Sequence, residues 1–448
     1  MDFEIRSLLT LINEGLTFFL VFPAIVLLGL YLTVRLRCLQ LSKLKMSFSY
    51  LIKKESGSEG NISHYQAIAS VLAGNFGTGN ISGMAVAVTT GGPGSLVWMW
   101  VMAFLGASIQ YVSCVLGVKY RGKNEEGEYI GGPMYYLRDG LGFKKLGAFF
   151  AVLSVVGALT VGNFAQVNSV SLPLQNMGFN PLICGILIAF FVGIVLLGGI
   201  QRVAWLASFV VPIKAALYLG TALVILGMHA EKIIPALKLM FSAAFDSKSA
   251  FGGLLGFTVV KAISSGFDRG LFATDAGTGI VPILQSSART TNPIIDGVVT
   301  LVAPFLVMLV CTATGLVLLV TGVWEDQGLQ STNMVMQAFQ EGLGHSFGGY
   351  VVVIALVMFA YTTILAWACC AEKAVGYLYG TRSAQRFKYL YVLLIPVGAL
   401  LHVDLIWKLA DISISLMLAI NLIGVVGLSK EVIGDSRKYF LRCNDAVT

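Results

Sequence analysis

The sequence predicts an all-α integral membrane protein, and three observations carry that prediction. The 448 residues are 56 % hydrophobic and only 12 % charged, whereas soluble domains carry about 25 % charged residues. The apolar residues form long runs, and about 20 such residues let an α-helix cross a bilayer. None of the runs shows the alternating pattern of a barrel strand. We therefore expect one membrane domain, residues 1–448, with lipid around it and no separate soluble domain.

Eleven candidate spans follow one another along the chain. They cover about residues 14–34, 65–90, 95–118, 147–170, 181–199, 204–228, 250–285, 294–322, 347–372, 388–401 and 405–428. If the first span is peripheral, the remaining ten form two halves of five spans each. We place these halves at residues 65–228 and 250–428, and we expect a cytoplasmic tail at 429–448.

The lysine and arginine residues predict the orientation in the membrane. With eleven spans, 22 of them fall on one side and four on the other. Because cytoplasmic loops carry the excess of positive charge, the N-terminus is expected outside and the C-terminus in the cytoplasm. The same agreement supports the count of spans. The distribution of these residues among loops also indicates that the net charge of +7 does not form a nucleic-acid-binding patch.

The stretch Ala73–Asn80, in the middle of the second span, is unusual for a membrane helix. Gly74, Gly77 and Gly79 each weaken a helix by about 1 kcal/mol relative to alanine. A helix that breaks inside the membrane frees N–H groups, which suit a carboxylate, and carbonyl groups, which suit a cation. Small residues also allow close helix packing, and on this segment alone both interpretations stay open.

The seventh span carries a second set of polar and small residues, Ser264–Gly270 followed by Ala276–Gly279. Both halves thus open with an interrupted span, and the two spans run in opposite directions. Short helices predicted at 133–139 and 331–343 lie on opposite sides of the membrane, as an inverted repeat would give, and on this feature alone two ordinary surface helices stay open as an alternative. Paired interrupted spans point to a transporter with a binding site near the midplane.

Several motifs, in order along nearly the whole chain, resemble the alanine/glycine:cation symporter family of secondary transporters. These motifs are Gly74–Asn80 with Gly91–Gly94 and Trp98–Trp100, Gly131–Tyr136, Gly162–Ser169, Arg269–Phe272 with Ala276–Gly277, Thr362–Trp367 with Glu372–Lys373, and Asp404–Trp407. The resemblance implies a LeuT-type 5+5 inverted repeat with one extra N-terminal helix. It also implies uptake of a small neutral amino acid, such as alanine or glycine, through the plasma (inner) membrane by alternating access. The coupling ion would be Na⁺ or H⁺, with no other cofactor.

By this resemblance one group of residues would contact the substrate. The group is Gly77, Thr78, Gly79, Asn80, Gln166, Gly266, Phe272, Thr363 and Trp367. The residues of the first break would bind the carboxylate, carbonyls around Gly266 would meet the ammonium group, and the two aromatic side chains would limit the pocket. Plainer roles stay open, because polar residues also join membrane helices and aromatic residues also pack.

A second group would hold the coupling cation, with Na⁺ as the metal that it could take. Its members are Ala73, Phe76, Thr362 and Thr363. Hydroxyl and carbonyl oxygens are the ligands that a hard cation needs. The threonine pair alone is a weak signal, because threonine in membrane helices often bonds its own helix backbone.

Charged residues inside the spans depart from the family pattern, and Lys214 and Asp268 are the candidate coupling residues. Lys214 stands where methionine is more usual, Lys261 is unexpected, and Thr274-Asp275 replaces the more usual Asn-Glu pair. One hypothesis is that Lys214 is a proton-linked or sodium-substituting group. The other is a fixed ion pair between Lys214 and Asp268 or Asp275, since intramembrane charges usually pair.

Other function classes fit less well. A channel needs a continuous polar stripe or a filter, and the chain shows two separate breaks instead. The four histidines form no catalytic spacing, and the seven cysteines form no CxxC motif, so no enzyme or metal centre is expected. The predicted tail is short for the signalling domain of a sensor. A proton-coupled transporter of a different amino acid remains an alternative.

Overall fold

The computed structural model describes residues 2–52, 60–245, 259–326, 328–329 and 331–445. The part of the predicted seventh span at residues 250–258 lies outside this range, as do Lys53, Lys54 and Lys248. The described chain is almost wholly helical. It also contains a small antiparallel hairpin, β1 (Gly122–Lys123) and β2 (Tyr129–Ile130), in which Gly122 pairs with Ile130.

The first half of the described chain contains thirteen α-helices. They are α1 (Asp2–Leu16), α2 (Phe22–Arg35), α3 (Leu39–Ser42), α4 (Leu44–Ile52), α5 (His64–Asn75), α6 (Ser82–Gly91), α7 (Ser95–Lys119), α8 (Pro133–Asp139), α9 (Lys144–Leu159), α10 (Ala165–Asn176), α11 (Pro181–Leu196), α12 (Gly199–Met228) and α13 (Ala230–Phe245). Two π-helical turns, Thr17–Val21 and Thr160–Phe164, join α1 to α2 and α9 to α10.

Nine further α-helices make up the second half of the described chain. They are α14 (Val259–Thr274), α15 (Ile280–Gln285), α16 (Pro293–Thr300), α17 (Val302–Thr321), α18 (Ser331–Leu343), α19 (Phe347–Tyr379), α20 (Thr381–Leu393), α21 (Ile395–Leu400) and α22 (Val403–Asp445). The short helices predicted at 133–139 and 331–343 are confirmed as α8 and α18.

Seven helical stretches of the described residues are long and apolar enough to cross a membrane. They are Ser7–Arg35, Ser95–Lys119, Lys144–Asn176, Gly199–Met228, Pro293–Thr321, Phe347–Tyr379 and Leu405–Arg442. The other four predicted spans coincide with broken or short helices, namely α5 with α6, α11, α14 with α15, and α20 with α21. The all-α membrane class is therefore confirmed, and the count of eleven spans stays a prediction.

Local sequence explains where the helices at the breaks and turns begin. Ser63 and Gln66 form a capping box at the start of α5, in which each side chain bonds the backbone of the other residue. Asn180 and Asn292 cap α11 and α16, and a proline at the first helical position follows each of them. Proline fits this position because its missing N–H would have no helical partner there.

The core lies around α7, the most enclosed of the seven long stretches. α7 packs against α14 and α16, while α5 packs against α12 and α19. The α1–α2 stretch and α12 present most of their residues outward, as lipid-facing helices do. The two predicted interrupted helices thus pack inside the bundle, α14 against α7 and α6, and α5 against α12 and α19.

The second break coincides with the later of the two stretches that the sequence suggested, Ala276–Gly279. α14 ends at Thr274 and α15 begins at Ile280, whereas α14 is continuous through the earlier stretch, Ser264–Gly270, so the helix does not open there. Packing outweighs the weak helix propensity of these residues. A Cβ atom at Gly266 would lie 2.6 Å from the Ser95 carbonyl oxygen, so Gly266 allows α14 to approach α7 closely.

The predicted tail is also part of a longer element. α22 continues from the last span to Asp445 as one helix. Lys119, at the end of α7, joins it through ion pairs of 2.5 Å to both Glu431 and Asp435. The residues after 428 are therefore held against the bundle by charged contacts.

Candidate functional site

The first break separates α5 from α6 with six residues of irregular or 3₁₀ backbone, residues 76–81. α5 ends when the Phe76 N–H bonds the Leu72 carbonyl, and Gly77 then adopts an extended conformation. Thr78–Asn80 form one 3₁₀ turn before α6 begins at Ser82. All residues of this break are buried, so the freed backbone groups need partners inside the protein.

Gln166 meets the break directly. Its Oε1 accepts hydrogen bonds from the Thr78 backbone N–H at 2.9 Å and the Thr78 hydroxyl at 3.1 Å. Its Nε2 donates to the Val161 carbonyl at 3.0 Å, within the π-helical turn that joins α9 and α10. Such turns are frequent at functional sites. The first break and the Gly162–Ser169 stretch, which carry residues predicted for one site, therefore meet through the Gln166 side chain.

Asn80 closes the break upon itself. Its Nδ2 donates to the carbonyls of Asn75 at 2.7 Å and Gly77 at 3.2 Å, and its Oδ1 accepts from the Cys311 thiol. Binding a carboxylate through this amide would require the two backbone bonds to open. The Thr78 N–H, in contrast, donates to a side chain, that of Gln166. A substrate carboxylate could replace this side chain as the acceptor.

Two aromatic side chains pack against glycines around the break. A Cβ atom at Gly79 would lie 2.5 and 2.7 Å from two ring carbons of Phe272. Trp367 packs against Gly162 in the same way, since a Cβ there would lie 2.2 Å from the Trp367 Cβ. The Trp367 indole Nε1 is buried and has no hydrogen-bond partner among the described residues. The aromatic residues therefore fill the space that the glycines leave.

Gly266 does not join this group. It lies inside the continuous helix α14 and packs on Ser95 and Trp98 of α7. The Gly266 carbonyl lies inside a continuous helix and is not freed by a break. The structure therefore gives no support to the predicted contact with a substrate ammonium group. The carbonyl of Thr274, at the end of α14, instead accepts a 2.7 Å hydrogen bond from the Asn75 amide and joins the two breaks.

The four residues predicted for a cation do come together, in two pairs. The Thr363 hydroxyl donates to the carbonyl of Ala73 at 2.8 Å. The neighbouring Thr362 hydroxyl and the Phe76 carbonyl are both bonded by the Lys214 ammonium group, the latter at 2.8 Å. Two of the four oxygens that would bind a cation therefore accept hydrogen bonds from the Lys214 side chain.

Lys214 is fully buried on α12 between two aromatic rings. Its Nζ lies 4.7 Å from the ring centre of Phe359 and 5.8 Å from that of Phe76. Aromatic faces attract a cation, and the two oxygens supply its hydrogen bonds. The ion pairs of the described residues do not include Lys214, so the expected fixed pair with Asp268 or Asp275 is absent there.

The family model for the sodium:alanine symporter family matches residues 2–446 of the chain. The chain belongs to the sodium:alanine symporter family. It is 39 % identical over 428 residues to the sodium/alanine symporter AgcS of Methanococcus maripaludis, covering 93 % of this chain and 94 % of that protein. It is 41 % identical to an uncharacterized transporter of Haemophilus influenzae, covering 94 % and 93 %. It is 31 % identical to the probable sodium/glutamine symporter GlnT of Bacillus subtilis, covering 92 % and 86 %.

Solved structures of other transporters share the fold at low identity. A Na⁺-coupled sialic acid symporter superposes with a TM-score of 0.52 at 13 % identity, covering 82 % of this chain and 79 % of that one. A manganese transporter of Eremococcus coleocola gives 0.54 at 13 % identity, covering 84 % and 81 %. Together with the family membership, these findings show a multi-pass membrane transporter that couples amino-acid transport to a cation.

This family member also contains a charged cluster that the sequence reasoning did not assemble. The Arg269 guanidinium forms a buried ion pair with Asp411 of α22, and it lies 5.0 Å from the Trp407 ring centre. Asp268 accepts hydrogen bonds from Thr17 and, at 3.4 Å, from Asn13. The sequence signal for Asp411 was its position as an aspartate inside the last apolar span. The polar residues Asn13 and Thr17 of the first span gave no sequence signal that Asp268 would be their partner.

Proposed function

We propose that this protein takes up a small neutral amino acid, such as alanine or glycine, together with a proton. Transport would proceed by alternating access around the two helix breaks. The observation that carries the proposal is the position of Lys214, whose ammonium group bonds the Phe76 carbonyl and the Thr362 hydroxyl. In this proposal the ammonium group stands where a sodium ion would otherwise bind.

The first break supplies the proposed carboxylate site. Gly77, Thr78, Gly79 and Asn80 lie on this break, and the Thr78 N–H faces Gln166. A substrate carboxylate would take over the Thr78 N–H from Gln166 and leave the Gln166 amide free to turn toward the substrate. Hydrogen bonds from a half-helix start to a carboxylate are favourable because the backbone N–H groups there have no helical partners.

The side-chain pocket is proposed to be small. Phe272 packs on Gly79 and Trp367 packs on Gly162, so large substrate side chains would have to displace aromatic rings. One observation favours an alternative substrate, an amino acid with a side-chain amide. The buried Trp367 Nε1 has no acceptor among the described residues, and an amide oxygen would satisfy it.

The proposed architecture has eleven spans in a LeuT-type arrangement in the plasma membrane. α5 with α6 would open the first half at 65–228, and α14 with α15 would open the second half at 250–428. The interrupted helices at corresponding places of the two halves support this arrangement. The excess of positive charge on one set of loops supports an outside N-terminus and a cytoplasmic C-terminus.

The occupied oxygens explain why Lys214 would change the coupling ion. A sodium ion needs several oxygen ligands in direct contact, and two of the four predicted ligands already accept hydrogen bonds from the Lys214 side chain. A sodium ion cannot reach both of these oxygens while the Lys214 Nζ atom stays in place. Sodium would bind here only after the ammonium group had left.

The test compares Lys214→Met with Lys232→Met, which changes an exposed lysine on the neighbouring helix α13. Each purified variant is reconstituted in proteoliposomes, and uptake of labelled alanine is measured under an inward proton gradient and, separately, an inward Na⁺ gradient. The wild type and Lys232→Met are expected to accumulate alanine from the proton gradient without Na⁺. Lys214→Met is expected to lose this uptake and to respond to Na⁺. Uptake by Lys214→Met that matches the wild type in both gradients would contradict the proposal.

A competition experiment separates the two substrate classes. Unlabelled glycine, serine, glutamine and leucine are added in excess during proton-driven uptake of labelled alanine. Inhibition by glycine and not by glutamine supports the small pocket. Stronger inhibition by glutamine than by glycine supports the amide-bearing substrate and the role of Trp367 Nε1.

A further inference from the structure

One buried carboxylate has no partner for its side chain among the described residues. Asp411 pairs with Arg269, and Asp296 accepts a hydrogen bond from Gln285 at 2.8 Å. Asp275 is only 2 % exposed, its Oδ1 has no hydrogen-bond partner, and its side chain makes no hydrogen bond or ion pair with another described residue. Asp275 is therefore a buried aspartate that has no role in the proposed substrate site or at Lys214.

Asp275 lies where the two breaks meet. It follows the last residue of α14, and its φ of 50° turns the chain out of the helix. Its carbonyl accepts bonds from the Thr278 N–H and hydroxyl, at 3.1 and 2.8 Å. The Asn75 amide donates to Thr274, one residue earlier, and the Asn75 Oδ1 is itself buried without a partner. Asn75 Oδ1 and Asp275 Oδ1 are thus two buried acceptors without donors, and both lie where the two breaks are linked.

Among the described residues, the side chains that pack directly on this break carry no positive charge, and Lys373 of α19 bonds α15 further along the chain. α7 presents Gly106 to Ala276, and Ile109 of α7 with Leu418 of α22 packs on Gly277. The titratable groups nearby are the Cys370 thiol of α19 and, through Asn421, the Tyr136 hydroxyl of α8. A carboxylate without a cation or a hydrogen bond is costly in such a place. A proton removes that cost.

We propose that Asp275 is the proton-binding group of the transport cycle. The inference rests on the proposed function, in which a proton is the coupling ion and the Lys214 side chain takes the place of a sodium ion at the first break. The carboxylate takes up a proton when the site is open to the outside, together with the amino acid. It releases the same proton to the cytoplasm, so no other group is consumed or changed.

A route toward the cytoplasm follows α19 from the site. Thr363 bonds the first break, and Cys369, Glu372 and Lys373, further along the same helix, line a cavity of about 220 Å³. Lys373 bonds the Ile283 carbonyl at 2.9 Å and the Ser287 hydroxyl, at the far end of α15. α15 begins five residues after Asp275. Lys373 therefore joins the lining of this cavity to α15, the helix that follows Asp275.

The experiment uses the full-length chain in proteoliposomes with three variants. Asp275→Asn mimics the protonated form, Asp275→Glu keeps a titratable carboxyl group, and Asp326→Asn changes an exposed aspartate as a control. Exchange of labelled for unlabelled alanine across the membrane needs no net proton movement. Accumulation of alanine under an inward proton gradient does need it, and a pH-sensitive dye inside the vesicles reports the protons that enter with alanine.

Asp275→Asn is expected to retain exchange and to lose both accumulation and the alanine-dependent dye signal. Asp275→Glu and Asp326→Asn are expected to retain all three. Proton-driven accumulation by Asp275→Asn at the wild-type level would overturn the inference. Loss of exchange in both Asp275 variants, with correctly folded protein, would also overturn it, because it would assign the residue a structural role. A wild type that does not respond to the proton gradient at all would instead refute the proposed function.

Discussion

Replacing Gly79 with alanine should weaken substrate binding through a steric effect on Phe272. The added Cβ atom would lie 2.5 Å from one carbon of the Phe272 ring, well inside van der Waals contact. The break is fully buried, so the ring cannot move outward and is expected to move into the volume proposed for the substrate. Overpacking of this kind costs about 1–3 kcal/mol, which corresponds to a rise in KM of about 5- to 150-fold.

Gly83→Ala is the matched control, one turn further along the first half. A Cβ atom there would lie 3.8 Å from the nearest ring carbon of Trp407, which is ordinary contact. The assay is the concentration dependence of alanine exchange, with the thermal stability of each purified variant measured in parallel. Gly79→Ala should raise KM and Gly83→Ala should not, and Gly79→Ala combined with Phe272→Leu should recover part of the loss. An unchanged KM in Gly79→Ala would refute the assignment of Phe272 to the pocket wall.

Two further predictions concern the charged cluster beyond Phe272. Asp411→Asn should lower the thermal midpoint strongly, because it leaves the buried Arg269 guanidinium without its counter-ion, at a cost of about 3–5 kcal/mol. The double variant with Arg269→Gln should be more stable than Asp411→Asn alone, and equal midpoints would contradict the pairing. Thr17→Val should cost about 1.5–3 kcal/mol, since it removes a hydrogen bond to the Asp268 carboxylate. Glu14→Gln, on the exposed face of the same helix, should leave the midpoint unchanged, and a matching loss there would argue against the contact.

Composition and apolar run length were enough to predict the membrane class and the seven long spans. Both signals are summed over many residues, so a single unusual side chain does not change them. The short helices α8 and α18 were also predictable, because Pro133 and Gly140 mark the bounds of the first. The first break was also located correctly, because three glycines fall within six residues there.

The second break shows the limit of this reasoning. Ser264, Ser265 and Gly266 look like helix-weakening residues, yet α14 runs through them because Gly266 packs against α7. Local propensity is worth about 1 kcal/mol for each residue, and close packing of two helices outweighs it. The true break depends on Asp275 and two glycines with positive φ, at Gly277 and Gly279. Sequence alone does not distinguish a packing glycine from a turn glycine.

Of the two hypotheses for Lys214, the sodium-substituting one points to Phe76 and Thr362, which the structure brings to it, whereas the ion-pair one points to residues that lie elsewhere. A buried lysine calls for a counter-charge, and Asp268 and Asp275 were the candidates on the seventh span. The fold instead places α12 against the first broken helix, where a carbonyl, a hydroxyl and two aromatic rings surround the ammonium group. Asp268 lies against the first span, as its bonds to Thr17 and Asn13 show. Only the three-dimensional arrangement assigns these charges to different neighbours.

The coupling ion can be identified from uptake by the wild-type protein. Proteoliposomes without Na⁺ receive an inward proton gradient, and accumulation of labelled alanine is followed with and without a protonophore. Proton coupling predicts accumulation that the protonophore abolishes and that added Na⁺ does not increase. Accumulation that appears only with an inward Na⁺ gradient would contradict it, because a sodium ion would then have to bind despite the ammonium group of Lys214.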